Sequence, residues 1–211
     1  MRQACPGWSS WAGSKAGRSS QCAQFSSLIE AVLLARLGFG NPRHTKSLLL
    51  AYETSGGSNQ NGHPVPTVSD RIKFLLFTNQ PPEVASAIDA YLKSLKHVPS
   101  AYLVDGKLSV AARRGEKLFH SAQCADCHVP GLYTDSRLHD VGTRASYDET
   151  TGSFPTPTLV EVWRTAPYLH DGSAVTIRDV LATRNPSGKH GDVRHLTDQQ
   201  ISDLCEYVLS L

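Results

Sequence analysis

Apolar residues recur at helical spacing in several stretches of this chain, and no stretch shows the apolar–polar alternation that is typical of a β-strand. The clearest helix is predicted over residues 197–211, where Thr197 and Gln200 have the spacing of a capping box. Its apolar positions follow the 3.6-residue period: Ile201, Leu204, Cys205, Val208 and Leu211. The pattern predicts an all-α chain.

Four further helices are predicted from the same periodicity and from capping residues, over residues 69–77, 81–95, 110–121 and 176–184. The second of these has one apolar face, made of Val84, Ile88, Tyr91, Leu92 and Leu95. Between the third and fourth, residues 129–158 lack periodicity and are rich in Gly and Pro, which predicts a long loop. Loops of this length in a compact domain are usually functional.

The composition narrows the class of protein. The chain has 211 residues, enough for one or two small domains. Its net charge of +2, with 19% charged residues, argues against a nucleic-acid-binding protein. The longest apolar runs are too short to span a bilayer. Of five cysteines only two are close in sequence, so we expect neither a disulfide framework nor a zinc site made of two Cys-x-x-Cys pairs.

The close pair belongs to the motif Cys124-Ala-Asp-Cys127-His128. Two cysteines three residues apart can reach the two vinyl groups of a porphyrin, and the next residue then lies under the ring, where its imidazole can bind the iron. We therefore predict covalent haem c, with Cys124 and Cys127 as thioether links and His128 as the proximal ligand. The alternatives are a thioredoxin-like redox pair, which should follow a strand and here follows a helix, and half of a zinc site.

The second axial ligand is less constrained by the sequence. The only methionine is Met1, so a His/Met pair is not expected. Eight other histidines remain, and His190 is the preferred candidate because its loop precedes the last helix and can fold back over the haem. His170 is the second candidate, whereas His120 and His195 are interpreted as surface or structural residues. Ligation by another group, or none, stays open.

Several segments resemble the bacterial di-haem cytochrome c peroxidase family, which includes the di-haem enzyme that matures methylamine dehydrogenase. Its C-terminal haem domain resembles residues 113–143, 154–181 and 190–211, and the end of its N-terminal haem domain resembles residues 40–52 and 81–100. The resemblance implies class-I cytochrome c domains, a redox partner protein and a periplasmic location. It also implies a calcium ion held partly by the backbone carbonyls of Thr165 and Pro167.

The chain departs from this family in its N-terminal half, which has no Cys-x-x-Cys-His motif of its own. His44 stands where the family often has Asn, Val160 where it commonly has Arg, and no export signal is visible. We expect residues 1–39 to be poorly ordered and outside the match. Residues 40–106 then form a truncated cytochrome-like region with a linker near 96–107, and residues 107–211 form the cytochrome c domain.

Three functions follow as hypotheses. The first is a one-haem electron-transfer protein that cycles between Fe(III) and Fe(II). The second is a peroxidase-type oxidoreductase, which needs an open iron position or a second haem, supplied by association with another chain. The third is a thiol or zinc protein without haem.

Some other residues carry weaker expectations. Trp163 and Tyr168 are candidates for the pocket or the core, and Asp135 and His139 for bracing the long loop. Arg113 and Arg114 are expected to form a solvated helix face.

Overall fold

The computed structural model describes residues 49–50, 54, 80–145, 148 and 152–211. The predicted helix over 69–77, the segment 1–39 that we expect to be poorly ordered, and His44 all lie outside the described residues. The described residues belong to one compact unit, Arg43–Leu211. Within them, no helix is long and apolar enough to cross a membrane.

Three α-helices account for most of the regular structure: α1 (Pro82–Ser94), α2 (Val110–Ser121) and α3 (Asp198–Leu209). The predicted bounds agree with them to within one or two residues, the usual uncertainty at helix ends. The caps also form as predicted. The Ser109 side chain accepts a hydrogen bond from the Ala112 N–H, and Thr197 and Gln200 make a complete capping box.

Shorter elements connect the helices. Two single-turn 3-10 helices cover Cys124–Asp126 and Val162–Arg164, and a π-helix covers Asp179–Thr183. The expected α-helix over 176–184 is therefore wrong in its type. The predicted capping pair is present, since the N–H of Asp179 donates to Thr176 Oγ1. The turn nevertheless widens to i→i−5 bonding, with Arg184 N donating to the carbonyl of Asp179 at 2.8 Å.

The expectation of an all-α chain needs one correction. Two strands of two residues each, β1 (Leu138–His139) and β2 (Phe154–Pro155), pair antiparallel with Leu138 opposite Pro155. Both lie inside the predicted long loop. Sequence alternation cannot reveal strands this short, because two residues contain no period. Backbone hydrogen bonds of this strand pair thus connect two distant parts of the loop.

The core lies where α2 and α3 cross. Gly115 of α2 is buried at the crossing, and a Cβ built on it would lie 2.0 Å from the carbonyl oxygen of Asp203 and 2.9 Å from Cβ of Tyr207. Only glycine allows this approach. The buried apolar side chains of the core are Ala112, Phe119, Ala122, Leu159, Val162, Tyr168, Ala174, Ile177, Val180, Leu181, Val193, Ile201, Leu204, Tyr207 and Val208.

A two-point ion pair spans the same helices. The Arg114 guanidinium donates to both carboxylate oxygens of Asp203, each at 2.6 Å. Asp203 is 3% exposed and also accepts a hydrogen bond from Gln199 Nε2 at 3.1 Å. These hydrogen bonds, that from Arg114 above all, lower the pKa of Asp203 below its usual value. Arg113 and Arg114 are both exposed, as expected for a solvated helix face, and the Arg114 ion pair in addition joins α2 to α3.

The predicted apolar face of α1 stays largely exposed. Val84 is 39% exposed, Ile88 36% and Tyr91 64%, while Ala85 is buried. The linker that follows α1 lies against the C-terminal helix. Ser100 Oγ donates to the carbonyl of Leu209 at 2.6 Å. The linker is therefore bound to the domain it precedes.

We expect Gly115→Ala to lower the free energy of unfolding by about 1–3 kcal/mol, because the new methyl group overlaps the backbone of α3. Thermal unfolding followed by circular dichroism measures the change. Lys117→Ala, at an exposed position of the same helix, is the control and should change stability by less than about 0.5 kcal/mol. Equal stability of both variants would contradict the close helix crossing.

We expect Asp203→Asn to unfold at lower temperature than the wild type at pH 7, and the difference to narrow as the pH falls towards 3. The folded-state pKa of Asp203 is lowered, so its stabilisation is complete above the unfolded-state pKa of about 4 and is lost as the pH falls through the folded value. Unfolding temperatures at several pH values measure this. A difference that is independent of pH would contradict the role of the carboxylate charge.

Candidate functional site

The Cys-x-x-Cys-His motif begins where α2 ends. Gln123 adopts the left-handed conformation with φ 63°, which turns the chain from α2 into the 3-10 helix. The N–H of His128 then donates to the carbonyl of Cys124 at 2.9 Å. Cys124 and Cys127 are both partly buried and both free. The motif thus forms one tight turn in which the two thiols and the following imidazole lie close together.

The acidity of the two thiols argues against a redox pair. Burial, the larger cause, raises the pKa of Cys124 to about 11. Burial and the nearby Asp135 carboxylate also raise the pKa of Cys127. Reactive redox cysteines have lowered pKa values, because the thiolate is the nucleophile. Both thiols here are therefore protonated at neutral pH, unlike the thiolate of a redox pair.

His128 is 9% exposed and is held by the loop that follows it. Its Nδ1–H donates to the carbonyl of Tyr133 at 3.0 Å, which leaves Nε2 as the nitrogen with a free lone pair. Tyr133 has a left-handed backbone, φ 51°, and its hydroxyl lies 3.1 Å from the hydroxyl of Tyr207 on α3. A hydrogen bond of this kind fixes the orientation of a metal-binding imidazole and raises its basicity.

His190 lies opposite His128. The two ring centroids are 6.3 Å apart, and the ring planes differ by 31°. Two imidazoles that bind one metal ion from opposite sides, each through a nitrogen about 2 Å from the ion, have centroids about 6 Å apart. The spacing of this pair therefore fits a metal ion bound between them.

Both imidazoles are neutral at pH 7. Burial lowers the pKa of His128. Burial, and to a smaller extent the repulsion that a protonated His128 would exert, lowers the pKa of His190 to about 4. A neutral ring keeps the lone pair that a metal needs. The structure thus brings together the four residues that the sequence assigned to haem: Cys124, Cys127, His128 and His190.

The loop that carries His190 packs directly against the cysteine motif. The N–H of Asp192 donates to the carbonyl of Ala122 at 3.2 Å. Gly191 has φ +79°, and a Cβ built on it would lie 3.2 Å from Cys124 Sγ. Sequence reasoning missed Gly191, and it missed Asn185, whose side chain binds this loop. A Gly next to a candidate ligand was the available signal for close backbone approach.

The other candidate histidines lie elsewhere. His170 Nε2 lies 2.9 Å from Asp148 Oδ2, and its ring stacks on Phe154 with centroids 3.7 Å apart. His120 and His195 are exposed, in agreement with their interpretation as surface residues. Of the described histidines, His190 is the one whose ring faces His128.

Cys127 also lies near a second set of polar groups. Its Sγ and one ligand atom each of Asp135 and His139 are within 4.8 Å of one another. His139 Nε2 and Asp135 Oδ2 are 2.7 Å apart, and Asp135 Oδ1 accepts from the N–H of Arg137, so Asp135 links two points of the long loop. Structural zinc sites normally have four Cys or His ligands. Three mixed groups, without Cys124 among them, do not make such a site.

The remaining candidates lie along residues 162–172. Tyr168 is buried in the core and its hydroxyl donates to the carbonyl of Val162 at 3.2 Å. Trp163 Nε1 is buried and has no hydrogen-bond partner among the described residues. Thr165 Oγ1 donates to the carbonyl of Val162 at 3.1 Å, and Pro167 lies beside Gly172. A calcium site at Thr165 and Pro167 stays a prediction.

Known proteins share sequence with this domain. A family model described as RoxA-like, cytochrome c-like matches residues 153–187, a stretch that contains neither the cysteine motif nor His190. The gamma subunit of hydrazine synthase from Kuenenia stuttgartiensis is 29% identical, over 63% of this chain and 50% of that protein. The methylamine utilization protein MauG from Methylorubrum extorquens is 32% identical, over 36% of this chain and 26% of that protein. The chain thus spans half or less of these relatives.

Solved structures agree on the fold. A structure of Kuenenia stuttgartiensis hydrazine synthase pressurized with xenon aligns with a TM-score of 0.59 and 27% identity, over 73% of this chain and 67% of the other. A MauG-like protein associated with microbial copper homeostasis aligns with a TM-score of 0.58 and 20% identity, over 81% and 73%. The described region therefore has a cytochrome c-like fold, and its sequence is similar to the MauG protein and to the gamma subunit of hydrazine synthase.

Proposed function

We propose that the chain is a c-type cytochrome that carries one covalent haem and transfers electrons. Cys124 and Cys127 would hold the porphyrin through thioether bonds, and His128 and His190 would bind its iron. The observation that carries this proposal is the facing pair of neutral imidazoles, 6.3 Å apart and next to the Cys-x-x-Cys turn. Haem bound in this way supplies one-electron chemistry between Fe(III) and Fe(II).

The residues around the site support an electron carrier by what they hold in place. Tyr133 orients His128 through its carbonyl, and the Tyr133–Tyr207 contact ties that residue to α3. The close packing of Gly191 on Cys124 brings the second imidazole over the motif. A site whose ligands move little between redox states needs little reorganisation, which suits electron transfer better than substrate binding.

The alternative is a peroxidase-type oxidoreductase. This function needs an open iron position or a second haem, and the second imidazole at His190 favours the carrier over it. A second haem could come from association with another chain. The relationship to MauG is the reason to test this alternative.

Further features of the proposal rest on the family resemblance and on the chemistry of haem attachment. We propose a periplasmic location, because haem c is attached outside the bacterial cytoplasm, and a redox partner protein that exchanges electrons with the haem. A calcium ion at the carbonyls of Thr165 and Pro167, and the origin of residues 40–106 as a truncated second haem domain, belong to the same proposal.

The chain is expressed with an export signal in cells that also produce the haem-c maturation proteins. We expect it to carry one haem that stays on the polypeptide after denaturation. A pyridine haemochrome spectrum measures it. The double variant Cys124→Ala/Cys127→Ala should carry none, because it lacks both thiols. Cys205→Ser is the control, since Cys205 packs against the core and should leave the haem unchanged. Wild-type protein without covalent haem would contradict the proposal.

We expect His190→Ala to convert a low-spin six-coordinate haem into a high-spin one, because the variant removes one axial imidazole. Absorption spectra of the ferric protein report the spin state. His170→Ala is the control and should stay low-spin, since His170 contacts Asp148 and Phe154 instead. A high-spin wild type would favour the peroxidase alternative, and a low-spin His190→Ala variant would exclude His190 as the ligand.

A further inference from the structure

Asn185 is among the most completely buried side chains of the described region, with 2% of its surface exposed. It lies shortly after the π-helix and stands at the start of the loop that leads to His190. A buried carboxamide is costly unless its donors and acceptor are satisfied. Its hydrogen bonds therefore indicate what its burial achieves.

The Asn185 side chain makes three hydrogen bonds to the backbone around His190. Its Oδ1 accepts from the His190 N–H at 3.0 Å. Its Nδ2 donates to the carbonyl of His190 at 3.1 Å and to the carbonyl of Gly191 at 2.9 Å. One side chain thus binds the donor and the acceptor of the ligand residue itself, together with the acceptor of the next residue.

The opposite side of the loop is held by the cysteine motif, through the Asp192–Ala122 hydrogen bond and the packing of Gly191 on Cys124. The backbone of His190 is therefore fixed between Asn185 and the haem-attachment turn. Within this clamp the imidazole can move mainly by rotation of its own side chain. A larger displacement of the imidazole from His128 requires the backbone of the loop to move. This movement breaks the hydrogen bonds to Asn185.

The two imidazoles are not held alike. His128 donates its Nδ1–H to Tyr133, a bond that orients the ring and strengthens it as a ligand. His190 Nδ1 is buried and has no hydrogen-bond partner in the part of the chain that the structure describes. The orientation of His190 therefore depends on its backbone rather than on a bond to its ring.

We propose that Asn185 is a positioning residue that keeps His190 on the iron. The strength of its three hydrogen bonds to the loop then determines how fast an external ligand displaces His190. The inference rests on the function proposed above. Asn185 acts through its hydrogen bonds to the loop and not as a ligand of the iron. Weakening these hydrogen bonds should shift the site from a closed carrier towards an open iron position.

The test is the rate at which cyanide displaces His190 from the ferric, haem-loaded protein, followed by stopped-flow absorption. Asn185→Leu keeps the approximate volume of the side chain and removes all three hydrogen bonds. Asn185→Asp keeps the acceptor for the His190 N–H and loses both donors. We expect displacement to be faster by about tenfold or more in both variants. Asn185→Leu loses all three hydrogen bonds, and Asn185→Asp replaces the two that Nδ2 donates by repulsion between a buried carboxylate and two carbonyl oxygens.

Ser100→Ala is the matched control. It also removes a buried hydrogen bond, that from Ser100 to Leu209, which joins the linker to α3. We expect it to lower the unfolding temperature without changing the rate of cyanide binding. Parallel changes in rate for Ser100→Ala and Asn185→Leu would mean that general loss of stability is the cause, and would overturn the inference.

The outcomes separate the inference from the function. Wild-type protein without covalent haem, or a His190→Ala variant with an unchanged spectrum, overturns both. Low-spin wild type, a high-spin His190→Ala variant and unchanged cyanide rates in both Asn185 variants overturn the inference alone. If Asn185→Leu fails to mature, Asn185→Asp decides the matter by the same measurement.

Discussion

The structure around the site depends on one constraint: two neutral imidazoles, on segments far apart in the sequence, have to face each other beside a pair of cysteines. The 6.3 Å separation of the His128 and His190 ring centroids fits a metal ion bound between the two rings. Burial disfavours the charged form of both rings, which lowers their pKa values and keeps them neutral at pH 7. The Asp192–Ala122 hydrogen bond and the packing of Gly191 on Cys124 hold these two segments together.

The helix pair provides the rigid support. Gly115 lets α2 approach α3, and Arg114 and Asp203 fasten the crossing. The end of α2 then delivers the cysteine motif, while α3 supplies Tyr207, which holds Tyr133 and through it His128. The position of the proximal imidazole thus follows from helix packing, whereas that of His190 follows from a loop. Because a loop positions His190, we expect an external ligand to displace His190 before His128.

Local sequence patterns predicted the features that depend on neighbouring residues. The capping residues and the 3.6-residue period located α2 and α3. The Cys-x-x-Cys-His spacing predicts a haem-attachment motif, and the structure shows that these residues form one turn. The strand pair of Leu138–His139 and Phe154–Pro155 could not be predicted, because it is too short to show a period. The π-turn at Asp179–Thr183 also escaped, because its capping signal is that of an α-helix. His190 was preferred to His170 only because its loop precedes the last helix. Asn185 and the approach of Gly191 to Cys124 could not be predicted, because neither produces a periodic pattern in the sequence.

One covalent haem bound by two histidines of this chain would have a characteristic spectrum. Near-infrared magnetic circular dichroism of the ferric protein tests it most directly, because the ligand-to-metal band distinguishes a bis-histidine haem from other axial pairs. We expect a single low-spin bis-histidine species that is lost in His190→Ala. A high-spin spectrum, or a low-spin species with a different second ligand, would contradict it.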